Sequence, residues 1–305
     1  MPGIAVVHSR RYACDIGPHV FPTAKYGLVL ASLSNDGTIT PADVREPEPA
    51  SRAMLELVHT REYLDDLEAL RWTSRTRPSE LPLTEEIVAA YVLAAGGTTL
   101  AARESLASGA AVHVGGGFHH AFAGHAEGFC YINDLAVAVR VLRAEGAIHR
   151  AAVVDLDVHQ GNGTAALFAA DPDVFTLSFH QEANYPIPKM KSTLDVGFDD
   201  GTGDGEYLQR LEGALAKIWA FTPQLVLYQA GADPYREDQL GGLALTLEGL
   251  ERRDRAVIDG CAERGIPVVV TLGGGYARRV EDTVAIHATT CRIAIAAGTR
   301  EGRRA

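Results

Sequence analysis

Residues 151–163 read AAVVDLDVHQGNG, four apolar residues running into Asp155, Asp157 and His159. In an extended chain alternate side chains share a face, so these three project to one side and Leu156 and Val158 to the other. Within this row Asp157 and His159 form a pair of donors for a divalent cation. Asp233, in the QAGAD segment, supplies a third ligand beside Asp157 and His159. Three N/O ligands leave positions open for water and a substrate. The mix suits Zn²⁺, with Fe²⁺ as the alternative. Plainer readings stand beside these: a D-x-D-x-H row also ends a strand or caps a helix through hydrogen bonds, and an aspartate before proline also makes a turn.

His119 and His120 follow three glycines, Gly115–117 in number, whose backbone freedom lets both rings enter one cleft. A lone buried histidine is more often structural, but two in a row beside a candidate metal site favour acid–base chemistry. Tyr276 follows Gly273, Gly274 and Gly275, and its phenol can donate a hydrogen bond to an oxygen gaining negative charge. The rival for such a glycine run is a nucleotide loop. LGGGY has neither G-x-G-x-x-G nor the Lys-Ser/Thr of a phosphate loop.

Parallel strands must position these groups. Apolar β-rich runs at 4–7, 110–114, 151–158, 174–179, 224–230 and 266–272 alternate with helical patterns near 51–70, 84–108, 132–145, 204–220, 246–264 and 279–297. That alternation predicts a parallel sheet, buried on both faces and wrapped by helices. GGGFHHA, DLDVHQGNG, His180, GAD and GGGY each follow a predicted strand, and in open α/β sheets such loops converge on a ligand site. Residues 10–27 and 181–203 read as irregular. The second is long enough for a functional loop or a surface excursion.

The 305 residues are 47% hydrophobic and 22% charged, which suits one domain over 1–305, with 297–305 read as a frayed basic tail. A net charge of −11 argues against a nucleic-acid partner and suits cationic substrates without requiring them. Cys14, Cys130, Cys261 and Cys291 are widely spaced with no C-x-x-C, which suggests neither a disulfide framework nor a thiolate metal site. No signal peptide or membrane span is visible, so the expected location is the cytoplasm.

Together GGGFHHA, HAEGFCYIND, DLDVHQGNG, QAGAD and LGGGY resemble the zinc-dependent histone deacetylase and acetylpolyamine amidohydrolase superfamily. The likeness begins at HVFPTAKYG (19–27) and VHTREYLDDL (58–67) and continues through GTGDGEY (201–207) and EDQLGGLALT (237–246). The triple Gly-Phe and Q-G-N-G look most like the class IV branch and its bacterial relatives. The resemblance implies an arginase-like three-layer α/β/α fold with a mostly parallel sheet of about eight strands, and zinc on Asp157, His159 and Asp233. It implies His120 as general base, His119 as companion acid or electrostatic stabiliser, and Tyr276 as carbonyl polariser. Asp155 would orient His119 and Asn162 would orient His120, the neutral asparagine fixing the ring's tautomer without adding charge. An Asn-Gly turn is the plainer reading of Asn162. Gln160 after the metal histidine argues for one metal rather than the two of arginases.

By the same analogy a structural K⁺ lies at Asp155, the backbone of Asp157 and His159, and the Ser178-Phe179 segment. Gly128, Phe129, Leu240 and Tyr185 would form the substrate tunnel. The implied activity is removal of acetyl or longer acyl groups from lysine on a protein or peptide, or from acetylated polyamines. Two readings of other classes stay open: a non-catalytic module binding acyl-lysine or a metabolite in the same cleft, and a nucleotide-binding α/β protein without a metal.

Overall fold

In a computed structural model, which describes residues 4–301, eight strands form one sheet. They are β1 Val6–Val7, β2 Val44–Arg45, β3 Ala110–His113, β4 Ala151–Asp155, β5 Val174–Gln181, β6 Leu194–Phe198, β7 Val226–Gln229 and β8 Val268–Thr271. Every pairing is parallel, in the order β2-β1-β3-β8-β7-β4-β5-β6. Around the strands run α1 Lys25–Asn35, α2 Arg52–Leu55, α3 Arg61–Glu68, α4 Glu85–Ser108, α5 Asp134–Ala144, α6 Asn162–Phe168, α7 Asp204–Phe221, α8 Leu247–Glu263 and α9 Val280–Glu301. Every residue of β3, β4, β7 and β8 is buried, so helices cover both faces, as the uninterrupted apolar runs require. None of the described helices is long and apolar enough to cross a membrane.

The four central strands end level. His113 of β3 is in register with Thr271 of β8, Thr271 with Gln229 of β7, and Gln229 with Asp155 of β4. Each is the last residue of its strand, so four consecutive neighbours release their loops from one row.

Several expectations change. The strand expected over 151–158 stops at Asp155, so Asp155, Asp157 and His159 do not alternate along an extended chain. Asp155 Oδ1 accepts the Asp157 N–H at 3.2 Å, and Asp157 Oδ1 accepts the His159 N–H at 3.0 Å. These side chains turn their own backbone, the behaviour that makes aspartate a turn residue. The helix expected over 51–70 is two helices, because Ser51 and Thr60 each cap one of their own. Residues 181–203 are not wholly irregular: β6 pairs there with the end of β5 and carries β5 past His180 to Gln181. Of the expected tail, residues 297–301 belong to α9, where Gly298 lies so close to Ile4 that a Cβ would come within 2.4 Å of its Cδ1. Residues 302–305 lie outside the described residues.

Beneath the row of strand ends sits Arg253 of α8, with no exposed surface. Its Nη1 donates to the Leu156 carbonyl at 3.3 Å and the Gly231 carbonyl at 2.6 Å, tying the β4 and β7 loops together. Asp254 balances the charge at 2.8 Å and also accepts from Tyr228 and Thr290. An Arg253→Met variant, which leaves Asp254 buried without its cation, is expected to lose about 3–5 kcal/mol of stability, read as a lowered urea midpoint.

Candidate active site

The loops from the level strand ends meet in a cleft of about 230 Å³. Its lining brings together His119 and His120 from the β3 loop, Asp157 and His159 from the β4 loop, and Tyr276 from the β8 loop. Gly128, Phe129, Tyr185 and Leu240 line it as well, so the four expected tunnel residues share one space. His180 does not join them. It lies within β5, bonded to Ser178 Oγ at 3.1 Å, because pairing with β6 holds it in the sheet.

Asp157, His159 and Asp233 are buried and offer donor atoms within 4.8 Å of one another. Among the described residues no other group of three or more His, Cys, Asp or Glu converges in this way. His159 Nδ1 lies 3.1 Å from Asp157 Oδ1 and 3.3 Å from Asp233 Oδ2. The remaining oxygens are held by backbone: Asp157 Oδ2 accepts the Gly274 N–H at 2.9 Å, and Asp233 Oδ1 accepts the Val158 N–H at 2.9 Å. A Cβ on Gly274 would come within 2.0 Å of Asp233 Oδ2, so only glycine lets the β8 loop close over the cluster.

This donor set fits a divalent cation. Asp233 Oδ2 is buried without a hydrogen bond, and burial together with Asp157 pushes the Asp233 carboxyl up to about 7. Such a carboxylate is poorly compensated by protein alone. Gln160, next in sequence to His159, points elsewhere: its Nε2 donates to the Met190 carbonyl at 2.6 Å and to Asp195 at 2.8 Å, and its Oε1 accepts from Met190 N–H. It pins the 181–193 segment and adds no second metal position.

The two histidines lie with ring centroids 4.0 Å apart in opposite electrostatic settings. His119 Nδ1 is 2.7 Å from Asp155 Oδ2. Burial works against its charge, but Asp155 and Asp157 overcome it and raise the pKa to about 9. His120 Nδ1 is 2.7 Å from Asn162 Oδ1, a neutral partner. Burial, then the charges of His119 and His159, press its pKa well below the ordinary 6.5. Such a pair separates into a proton donor and a proton acceptor.

Tyr276 stands across the cleft, its ring 6.4 Å from that of His159. Burial and then Asp233 and Asp157 push its pKa up, so the phenol keeps its proton. Asp238, which the sequence reading passed over, anchors two walls at once. It accepts from the N–H of Tyr276 at 2.7 Å and from those of Leu240 and Gly241 at 2.8 and 3.0 Å. Lys25 was also missed as a site residue: fully buried, it donates to the Gly273 carbonyl at 2.5 Å, 5.9 Å from the Tyr276 ring centroid. Its segment, HVFPTAKYG, was legible as resemblance but not as the underside of the site. Of the residues expected around potassium, Asp155 and Ser178 are register partners on β4 and β5, and Phe179 is buried.

Comparison with known proteins bears on the family and the fold. Residues 19–291 match the histone deacetylase domain family. An uncharacterized protein of Picosynechococcus sp. is 42% identical over 96% of this chain and 98% of its own length. Histone deacetylase 2 of Arabidopsis thaliana is 32% identical over 87% of this chain and 73% of its own. The crystal structure of an HDAC homolog complexed with SAHA superposes with a TM-score of 0.83 at 26% identity, covering 96% of this chain and 84% of that one.

Asp233→Asn is expected to have opposite effects in two conditions. With a chelator present the variant melts higher than the parent, because a carboxyl whose folded pKa is raised costs stability at every pH above its unfolded value. With zinc present it loses stoichiometric metal in equilibrium dialysis. Unchanged zinc content would show that Asp233 is not a ligand.

Proposed function

The chain belongs to the histone deacetylase family, and from that premise we propose that it is a zinc-dependent deacylase. It removes acetyl or longer acyl groups from lysine side chains of proteins or peptides, or from acetylated polyamines. The observation that carries this reading is the meeting of the Asp157–His159–Asp233 cluster, two of whose members line a largely apolar cleft, with two electrostatically opposed histidines and a protonated phenol in the same lining.

Asp157, His159 and Asp233 would hold the zinc. A bound divalent cation there supplies Lewis acidity toward an acyl carbonyl and makes water a better nucleophile near neutral pH. The side chains divide the remaining work. His120, kept neutral, takes the proton that attacking water must lose. Tyr276 donates to the acyl oxygen as charge gathers on it, and His119, protonated and held by Asp155, stabilises that charge and supplies a proton for the departing amine. Phe129, Tyr185 and Leu240 offer walls along which a methylene stem can lie while its polar end stays in water. That stem is common to acyl-lysine and acetylpolyamine.

The same reading assigns a structural K⁺ beside Asp155, the backbone of Asp157 and His159, and Ser178-Phe179, supported by the Asp155–Ser178 register. It takes residues 1–305 as one catalytic domain of class IV type, which the Gln160–Asn162 pattern supports. It places the protein in the cytoplasm, which four free cysteines, all buried, suit.

Zinc-loaded protein is expected to hydrolyse a fluorogenic acetyl-lysine peptide, and Tyr276→Phe to lose about 10²–10³ in kcat with its metal retained. Bound metal and bound acyl-lysine without turnover would instead mark a non-catalytic binding module. The pH profile of kcat/KM should be bell-shaped. Activity falls on the acid side only below 6.5, where the depressed His120 gains a proton, and on the basic side above the ordinary imidazole range, where the raised His119 loses one. Asn162→Asp places a negative charge beside His120, raises its pKa and should shift the acid limb to higher pH. An unmoved limb would remove His120 from the role of base.

A further inference from the structure

An asparagine beside a histidine leaves one question open. Its amide offers an acceptor on one edge and donors on the other, and either edge can face the ring. With the nitrogen toward His120, Nδ1 would have to accept, the ring proton would sit on Nε2, and no lone pair would remain on the cleft side to take a proton. His120 itself cannot choose between the two.

The choice is made on the far side of the amide. Glu127 Oε1 lies 2.6 Å from Asn162 Nδ2, and an ionised carboxylate only accepts. The amide nitrogen must therefore face Glu127. That turns Oδ1 toward His120 Nδ1, at 2.7 Å, and requires the ring proton to be on Nδ1. The same Oε1 accepts the Tyr185 hydroxyl at 2.9 Å, while Oε2 faces His125 Nε2 at 3.3 Å. Burial opposes the charge of Glu127, but the bonds from His125, Tyr185 and Asn162 outweigh it and hold its pKa below the ordinary glutamate value.

The backbone keeps this carboxylate in place. Glu127 exchanges hydrogen bonds with Cys130, N–H to carbonyl at 3.1 Å and carbonyl to N–H at 2.8 Å. Between them Gly128 adopts φ 48°, and a Cβ there would come within 2.7 Å of the His120 ring and 2.9 Å of Tyr185. The turn that lines the cleft is thus the turn that aims Glu127 behind it.

We propose that Glu127 is a positioning residue: it sets the orientation of the Asn162 amide, through it the Nδ1–H tautomer of His120, and with the same oxygen it fixes the tunnel wall at Tyr185. The tautomer is a statement about the resting protein. Its value to turnover rests on the proposed role of His120 as proton acceptor.

The test uses the full chain loaded with zinc, with labelled histidine, and reads the His120 tautomer from long-range ¹H–¹⁵N spectra alongside kcat and KM for an acetyl-lysine peptide. Wild-type His120 is expected to carry its proton on Nδ1; finding it on Nε2 overturns the proposal without any variant. Glu127→Leu should populate the other tautomer and lower kcat about 10- to 100-fold, the usual cost of losing such an outer hydrogen bond. Glu127→Gln should restore both, because one amide oxygen can accept from Asn162 and Tyr185 while its nitrogen donates to His125. A Glu127→Leu protein with wild-type tautomer and kcat, or a Glu127→Gln protein as slow as Glu127→Leu with the proton still on Nδ1, would also overturn it. If wild type shows the Nδ1–H tautomer and Glu127→Leu shifts it, yet no acyl-amine is hydrolysed, the deacylase reading fails while the assignment to Glu127 stands.

Discussion

The level ending of β3, β8, β7 and β4 is the constraint on which the rest of the molecule depends. Parallel strands in register at His113, Thr271, Gln229 and Asp155 leave the sheet at one height, so residues far apart in sequence are delivered to one small volume. Distance along the chain then costs little, because the sheet has already ordered the backbone. Arg253 holds the β4 and β7 loops from below, Asp238 holds the Tyr276 and Leu240 segments from the side, and Lys25 holds Gly273 from behind. Each of these side chains is buried, so the loops that carry the chemistry are braced by rigid elements.

That delivery has an electrostatic consequence. Asp155, Asp157, Asp233 and Asp238 are brought out of water within one neighbourhood, where carboxylates repel and lose solvation. Protein donors compensate part of this, through backbone N–H groups and the His119 ring. What they leave, the unbonded Asp233 oxygen above all, is a demand for a cation. The histidines separate in the same place: Asp155 and Asp157 draw the His119 ring toward its charged form, while burial and then the charges of His119 and His159 drive the His120 ring from it. In the proposed reaction the two imidazoles would therefore divide the work as proton donor and proton acceptor.

Much of this was legible in the sequence, for identifiable reasons. Fully buried parallel strands appear as unbroken apolar runs, so six of the eight strands could be read, and Asp157, His159, Asp233, the histidine pair and Tyr276 stood out as polar residues just beyond them. The strands that escaped were β2, two residues long, and β6, whose LDVGF is half-exposed and carries a glycine. The alternating-face argument for Asp155, Asp157 and His159 reached the right residues through the wrong geometry, because aspartate bonds to its own backbone before alternation can take hold. Glu127, Asp238 and Lys25 escaped for another reason. Each acts through a partner more than twenty residues away, and a glutamate before Gly-Phe or a lysine opening a helix has no local pattern that separates it from a surface charge.

The account turns on one cation shared by Asp157, His159 and Asp233. Crystals grown with zinc and measured at its absorption edge test this most directly. The expected result is an anomalous peak about 2.0–2.2 Å from one oxygen of each aspartate and from His159 Nδ1. A peak elsewhere, or Asp157, His159 and Asp233 ordered around no peak at all, would contradict the account.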